Sequence, residues 1–279
     1  MKKIYIQLIC LFISGIAFSQ TGGKIKLANG HRIVVESSTE IQASLSMGME
    51  LNSNSSSVNA LEVKSSTDKS LTISNTLTKI KVNTTMMGQP NNYDSENKEG
   101  NNEEMAKIFE ERLNKPVDVV VDNTTGLSVA GTKKEKKADD DIENPADDLM
   151  NMFSDNSDKG IVSGAFEIIP KGKLVGDSWS DTAVAKDMKM IRTFTLKSIT
   201  GTEAVIQVDI VSNAVNKLDF QEMEFEIKTE TKTKGEIITD TNTGLVSKRT
   251  SNSDITGSIP LMGQDMPISA KTSSTFIYK

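Results

Sequence analysis

The chain has 279 residues, with 32 Lys+Arg against 38 Asp+Glu, a formal net charge of −6, and 36% hydrophobic residues. A single His and a single Cys leave too few donors for a His/Cys metal centre and no partner for a thiol or serine nucleophile. The acidic balance runs against a phosphate-binding surface, so no nucleic-acid partner is expected.

Lys2 and Lys3 precede an almost wholly apolar run from Ile4 to Phe18, and Ala17 and Ser19 stand at the −3 and −1 positions of a small-residue cleavage site. Residues 1–19 therefore read as a cleaved signal peptide, which places the protein in the periplasm or outside the cell. The run falls short of the ~20 residues a membrane span needs. No later stretch approaches that length, so no transmembrane segment is expected after cleavage. Cys10 sits mid-run behind Gln7, Leu8 and Ile9, not at the end where a lipidated Cys belongs. Cleavage makes Gln20 the first residue and removes the only thiol.

From Arg32 onward the pattern is period two. Ile33, Val35, Ile41, Ala43, Leu45, Met49 and Leu51 take the odd positions, with Arg32, Glu36, Glu40, Gln42 and Glu50 between them. Such alternation predicts a sheet with one dry and one wet face. It reads as one long bent strand, or two joined by a bulge near Ser37-Ser38 or Gly48. The polar string from Asn52 to Ser57 reads as a turn or loop. Further strands are predicted near 58–66 and 70–86, and a parity change between Leu77 and Ile80 predicts a bulge. Later runs are Met188, Met190, Phe194 and Leu196, then Ala204, Ile206, Val208 and Ile210. Leu218 and Phe220 then give way in parity to Met223, Phe225 and Ile227, and a closing strand runs from about Ile268 to Tyr278.

Two short amphipathic helices interrupt the strands. Asn102-Glu103-Glu104 opens the first, with Met105, Ile108, Phe109 and Leu113 on one face and Pro116 ending it. Pro145 opens the second, with Asp147 and Asp148 in its first turn and Ala146, Leu149, Met150 and Phe153 on one face. Between them the charge run from Lys133 to Glu143 has little to bury and reads as a solvated linker. The fold class is all-β, mainly antiparallel, as a curved sheet or partly open barrel built from two related halves. Residues 20–131 form the first half with its inserted helix, 132–160 the linker with the second helix, and 161–279 the second half.

The halves repeat one another. VVVDNTTGLSV at 119–129 matches IITDTNTGLVS at 237–247, and LEVKSSTDKSLTI at 61–73 matches TLKSITGTEAVIQ at 195–207. A third, weaker match sets GHRIVV at 30–35 beside GDSWSD at 176–181. The offset drops by about 15 residues between the upstream and downstream matches, about the length of the first helix and its loops. An internal duplication accounts for all three. FEIIPKGKLVGDSW at 166–179, MMGQPNNYDSE at 86–96, DNTTGLSV and the terminal TSSTFIYK together resemble an uncharacterised domain-of-unknown-function family of exported Bacteroidota proteins, over roughly residues 24–279. That resemblance implies an envelope protein made mainly of β structure and supplies no catalytic residues.

Candidate chemistry is sparse. His31 follows Gly30 and opens a strand, the place of a surface or turn residue. DNSDKGIVSGAFE at 155–167 has the outline of a calcium loop, yet Lys159 and Phe166 occupy ligand positions. Asp139, Asp140 and Asp141 form a solvated acidic run. Asp177 and Trp179 lie on a strand, where a lone Trp anchors a core or sheet edge more readily than a sugar. The pairs Met47/Met49, Met150/Met152 and Met188/Met190 suit core packing or an adaptable apolar surface, and soft Cu(I) ligation ranks below both. No catalytic, cofactor-binding or metal residues are assigned, and no cofactor is expected. The leading reading is an exported, non-enzymatic protein that binds an apolar ligand or an envelope protein. A structural or interaction protein without a pocket is the alternative, and an enzyme ranks behind both.

Overall fold

The computed structural model describes residues 23–45, 48–129, 157–185, 187–220, 223–261 and 264–279. The signal peptide expected at residues 1–19, nearly all of the linker expected at 132–160, and the helix expected around Leu149 and Phe153 lie outside the described residues.

Chain order is β1 (Arg32–Leu45), β2 (Met49–Ser66), β3 (Ser70–Met86), β4 (Gln89–Asp94), α1 (Glu103–Arg112), β5 (Pro116–Asp122), α2 (Asp158–Gly164), β6 (Ser178–Ala185), β7 (Met188–Thr200), β8 (Glu203–Phe220), β9 (Met223–Asp240), β10 (Val246–Leu261) and β11 (Gln264–Tyr278). The eleven strands of the described residues join one antiparallel sheet in the order β4-β3-β2-β1-β11-β10-β9-β8-β7-β6, with β5 also pairing β3. The path is open, ending at β4 on one side and β6 on the other. It is also curved. Leu71 and Val119, near one end of the path, share an apolar cluster with Phe194 and Leu196 near the other.

Each strand puts alternate residues on the dry face. The main cluster gathers Ile33 and Val35 of β1, Leu61 and Val63 of β2, Ile206 of β8 and Ile237 of β9, closed over by Ile161, Val162 and Phe166 from α2 and the segment after it. A second cluster lies at the far ends of the strands and holds Ile41, Leu51, Ile227, Ile255 and Ile268. Between the two, inward positions carry hydroxyls. Ser37 bonds Ser57 at 2.8 Å, Thr39 bonds Ser274 at 3.2 Å, Ser53 bonds Thr84 at 2.8 Å and Thr233 bonds Ser253 at 2.7 Å.

That belt overturns one expectation. The string from Asn52 to Ser57 is the interior of β2, not a loop. Ser53 and Ser57 face inward and find hydroxyl partners on β3 and β1, so tertiary pairing outweighs a composition that favours turns. The alternation from Ile33 to Leu51 likewise breaks at Gly48 as a reversal: β1 and β2 pair antiparallel from Leu45↔Met49 onward. Gly48 has φ +75°, the left-handed conformation that glycine takes in a tight turn without steric cost. The parity switch after Phe220 is also a hairpin, with Phe220 opposite Met223. The bulge expected between Leu77 and Ile80 is present: Val58 opposes Lys79 and Asn59 opposes Leu77, leaving Thr78 unpaired in the ladder.

Helix α1 forms as its sequence indicates. Asn102 caps it by accepting from the N–H of Glu104 and Met105, and Met105 packs with Val82 and Tyr93, joined by Phe109 and Leu113. It therefore covers β3 and β4 alone. The element that closes the main cluster is α2, which periodicity did not reveal because only Ile161 and Val162 mark its seven residues.

The halves share hydrogen-bond registers. Gly30 N–H donates to Val63 O and Val63 N–H to His31 O; Gly176 N–H donates to Leu196 O and Leu196 N–H to Asp177 O. Val63 opposes Ile73 and Ser65 opposes Thr72 across a bulge, as Leu196 opposes Ile206 and Ser198 opposes Val205. Ser70 opposes Asp122 as Glu203 opposes Asp240. The hairpin strand β4 and helix α1 lie between β3 and β5, where the second half runs directly from β8 into β9. That insertion produces the drop in sequence offset.

Candidate functional site

Charged groups meet on the dry face beside α2. Arg192 of β7 reaches Asp181 of β6 with two bonds, Nε at 2.8 Å and Nη2 at 2.6 Å, and its guanidinium lies 5.6 Å from the Phe194 ring centroid. Phe194 stacks on Trp179 at 5.5 Å. Glu167, on the segment after α2, pairs with Arg249 of β10 at 3.3 Å. Burial pushes the Glu167 carboxyl above its ordinary range, and the positive charges of Arg249 and Arg192 pull the other way. Two acids and two bases balance here, and the aromatic pair seals one side. This arrangement suits a half-buried brace between β6, β7, β10 and the segment after α2. Trp179 thus anchors the core beside a sheet edge.

The remaining sequence candidates disperse. His31 is exposed at the turn before β1, its N–H donating to Ala28 O. Asp177 is exposed and accepts from the Leu174 N–H at 2.8 Å, which closes a turn. Asp158, in the string with the outline of a calcium loop, begins α2 and is engaged by Asn75 and Arg112. Asp139, Asp140 and Asp141, with Met47, Met150 and Met152, lie outside the described residues. Met188 and Met190 share the dry face of β7 opposite Ala185 and Ala183 of β6 and Ala214 and Ser212 of β8, none of which is a soft donor. Among the described residues no group of three or more His, Cys, Asp and Glu is placed to hold a metal ion.

The larger depressions over the described strands are open to solvent. A depression of about 500 Å³ runs over β1–β4 and is lined by Glu36, Ser38, Ser56, Lys79, Lys81 and Asp94 among others. A larger one, about 800 Å³, lies at the outer ends of β6–β10, lined by Val184, Lys189, Asn213, Val215 and Lys228 of the wet face and by Met188 of the dry face. Large apolar side chains are exposed on the wet face of these same strands: Val184 at 74%, Ile191 at 40% and Val211 at 42%. Ile191 and Val211 are directly opposed across β7 and β8. Sequence alternation could have marked these residues, because they are apolar at positions whose parity is otherwise polar.

A family match spans residues 68–246, from the β2–β3 turn to the start of β10, and so includes both α-helices and both Asp–Gly turns. The chain belongs to the family of unknown function DUF6263. No curated protein matches the sequence. Among solved structures, one titled for lipid–protein interactions in lipovitellin is 9% identical with a TM-score of 0.49, and covers 91% of this chain. This chain spans only 25% of that one. An outer membrane channel from Pseudomonas putida F1 is 8% identical with a TM-score of 0.22, covering 92% of this chain and 98% of its own. OccK5 (OpdH) from Pseudomonas aeruginosa is 6% identical with a TM-score of 0.21, covering 90% and 98%.

Proposed function

We propose that this DUF6263 protein is an exported, non-enzymatic interaction protein of the cell envelope that binds a protein partner on the wet face of β6–β8. The observation that carries the reading is the exposure of Val184, Ile191 and Val211 on a face where they stand among Ser, Thr, Asn, Gln, Lys, Asp and Glu. Exposed apolar clusters beside an open edge mark contact surfaces. A dry core filled by two clusters and a hydroxyl belt supports a surface mode of binding over an enclosed one. Export rests on the basic and apolar start of the chain.

A second reading, an apolar small-molecule carrier, draws on the 800 Å³ depression with Met188 and Val184 in its lining. One experiment separates the two. A photo-crosslinking amino acid replaces Val184 in the full-length chain expressed in its own cell envelope, with Ser56 as the control position. The partner reading expects a discrete protein adduct from position 184 and none from 56. Equal adducts at both positions, or a lipid retained by the purified protein in native mass spectrometry with no protein adduct, would overturn it.

A further inference from the structure

We propose that β6 is an acceptor edge to which an extended strand of the partner protein adds antiparallel along residues 180–185. This rests on the interaction reading above and names the chemistry of the partner. The shared registers place β6 where β1 stands in the first half: Ile33 opposes Leu61 across β1–β2 as Trp179 opposes Phe194 across β6–β7. On β1, the side away from β2 is filled by β11, which pairs with Val35 through Ser44. On β6, the side away from β7 pairs with no strand among the described residues. The repeat therefore shows what this geometry accepts.

It also shows which groups wait there. Val34 N–H donates to Lys279 O at 2.8 Å and Lys279 N–H returns a bond to Val34 O at 2.9 Å. Ser180 is the counterpart of Val34, so its N–H and C=O turn away from β7. Strand alternation gives the same outward direction to Thr182 and Val184. A row of outward donors and acceptors at this spacing is satisfied by one more strand.

Exposed edges are normally blunted by Pro, Lys or a bulge. The other flank of the sheet follows that rule, with Pro90 in β4 and Pro116 in β5. β6 reads SWSDTAVA, with no Pro and no Lys. Its one charge, Asp181, points inward, a placement that can blunt an edge, but Arg192 neutralises it through two hydrogen bonds. The strand that fills the equivalent edge of β1 ends in STFIYK, with Phe276 and Tyr278 on the inward parity. The partner strand is accordingly uncharged along its centre, with aromatic or aliphatic residues at alternate positions.

The test uses the full mature chain and a synthetic peptide of residues 268–279 as the probe strand. Saturable binding is expected, with amide exchange of Ser180, Thr182 and Val184 slowed on the order of tenfold or more. Protection at β6, with exchange in β1 unchanged, separates addition from displacement of β11. Thr182→Pro removes one outward donor and leaves the bonds to β7 in place, and should weaken binding roughly tenfold or more. Val184→Pro is the second variant, and emission from Trp179, the only Trp in the chain, reports whether β6 stays docked. Peptide affinity unchanged in both folded proline variants, or no protection of β6, would overturn strand addition. A dimer of the chain alone that Thr182→Pro dissolves would overturn it in favour of a second copy. Crosslinking from position 184 that survives Thr182→Pro keeps the partner surface and overturns the strand mode alone.

Discussion

Asp122 and Asp240 do the same work in two copies of one turn. Asp122 Oδ1 accepts from the N–H groups of Thr124 and Thr125, and Asp240 Oδ1 from those of Asn242 and Thr243. Gly126 N–H donates to Asp122 O at 2.9 Å and Gly244 N–H to Asp240 O at 2.8 Å, and both glycines have φ +72°. Each carboxylate replaces the backbone acceptor that the turn lacks. Replacing either Asp with Ala should cost about 1 kcal/mol through lost hydrogen bonds. The two costs should be alike, which urea unfolding of each single variant would show. A large cost at one position and none at the other would argue against equivalence of the turns.

Gly126 is more tightly surrounded than Gly172, which also sits at a turn. A Cβ added at Gly126 would fall 2.6 Å from Phe166 Cβ, whereas at Gly172, with φ +85°, it meets nothing within 4 Å. Both substitutions carry the left-handed backbone penalty of roughly 1–2 kcal/mol. Gly126→Ala adds overpacking of about 1–3 kcal/mol because Phe166 belongs to the main cluster and cannot swing away. Thermal unfolding should therefore place Gly126→Ala well below Gly172→Ala. Equal midpoints would mean that the segment after α2 yields easily.

Glu167 and Asp240 should answer acid in opposite senses. Burial raises the Glu167 carboxyl, against Arg249 and Arg192, so the folded state holds its proton more tightly than the unfolded chain. That stabilisation is complete at low pH and is lost as pH rises above about 4.5 through the raised value. Partial burial pushes Asp240 up, but hydrogen bonds from the Thr202 and Thr243 hydroxyls and from the Thr243 and Asn242 amides outweigh it, leaving it below 3.8. Its contribution is present above that ordinary value and is lost as pH falls through the lowered one. Glu167→Gln should thus gain on the native protein as pH rises, and Asp240→Asn should lose less than the native protein on the acid side. Denaturant midpoints between pH 2 and pH 8 supply the readout. Parallel curves for native and variant proteins would count against both assignments.

Period-two alternation made the strand content legible, down to the bulge at Thr78, because one face of each strand is buried and the other wet. Legibility failed where inward residues are polar. Ser53 and Ser57 look like loop residues until Thr84 and Ser37 supply hydroxyl partners, and those partners are set by register, which a linear reading does not contain. Reversals were missed for the opposite reason: parity carries straight through Gly48, so a hairpin and a bulge leave the same pattern. The repeat was readable as paired Asp–Gly turns, since such turns demand particular residues. That β6 corresponds to β1 yet has no strand in the place of β11 among the described residues depends on strand order.

The hydroxyl belt makes a last prediction that separates packing from hydrogen bonding. Ser53 is 2% exposed and Thr84 6%, and they bond one another at 2.8 Å between β2 and β3. Ser53→Ala leaves the Thr84 hydroxyl buried without this partner, and Thr84→Val does the same to Ser53. Each single change should cost about 1–3 kcal/mol, the desolvation of an unmatched group. Changing both removes donor and acceptor together at nearly constant volume, so the double variant should be more stable than the sum of the singles by about 1 kcal/mol or more. Urea midpoints of the four proteins close the cycle. Strict additivity would mean that water already serves these hydroxyls, and that the space between the two apolar clusters is wetter than a packed belt allows.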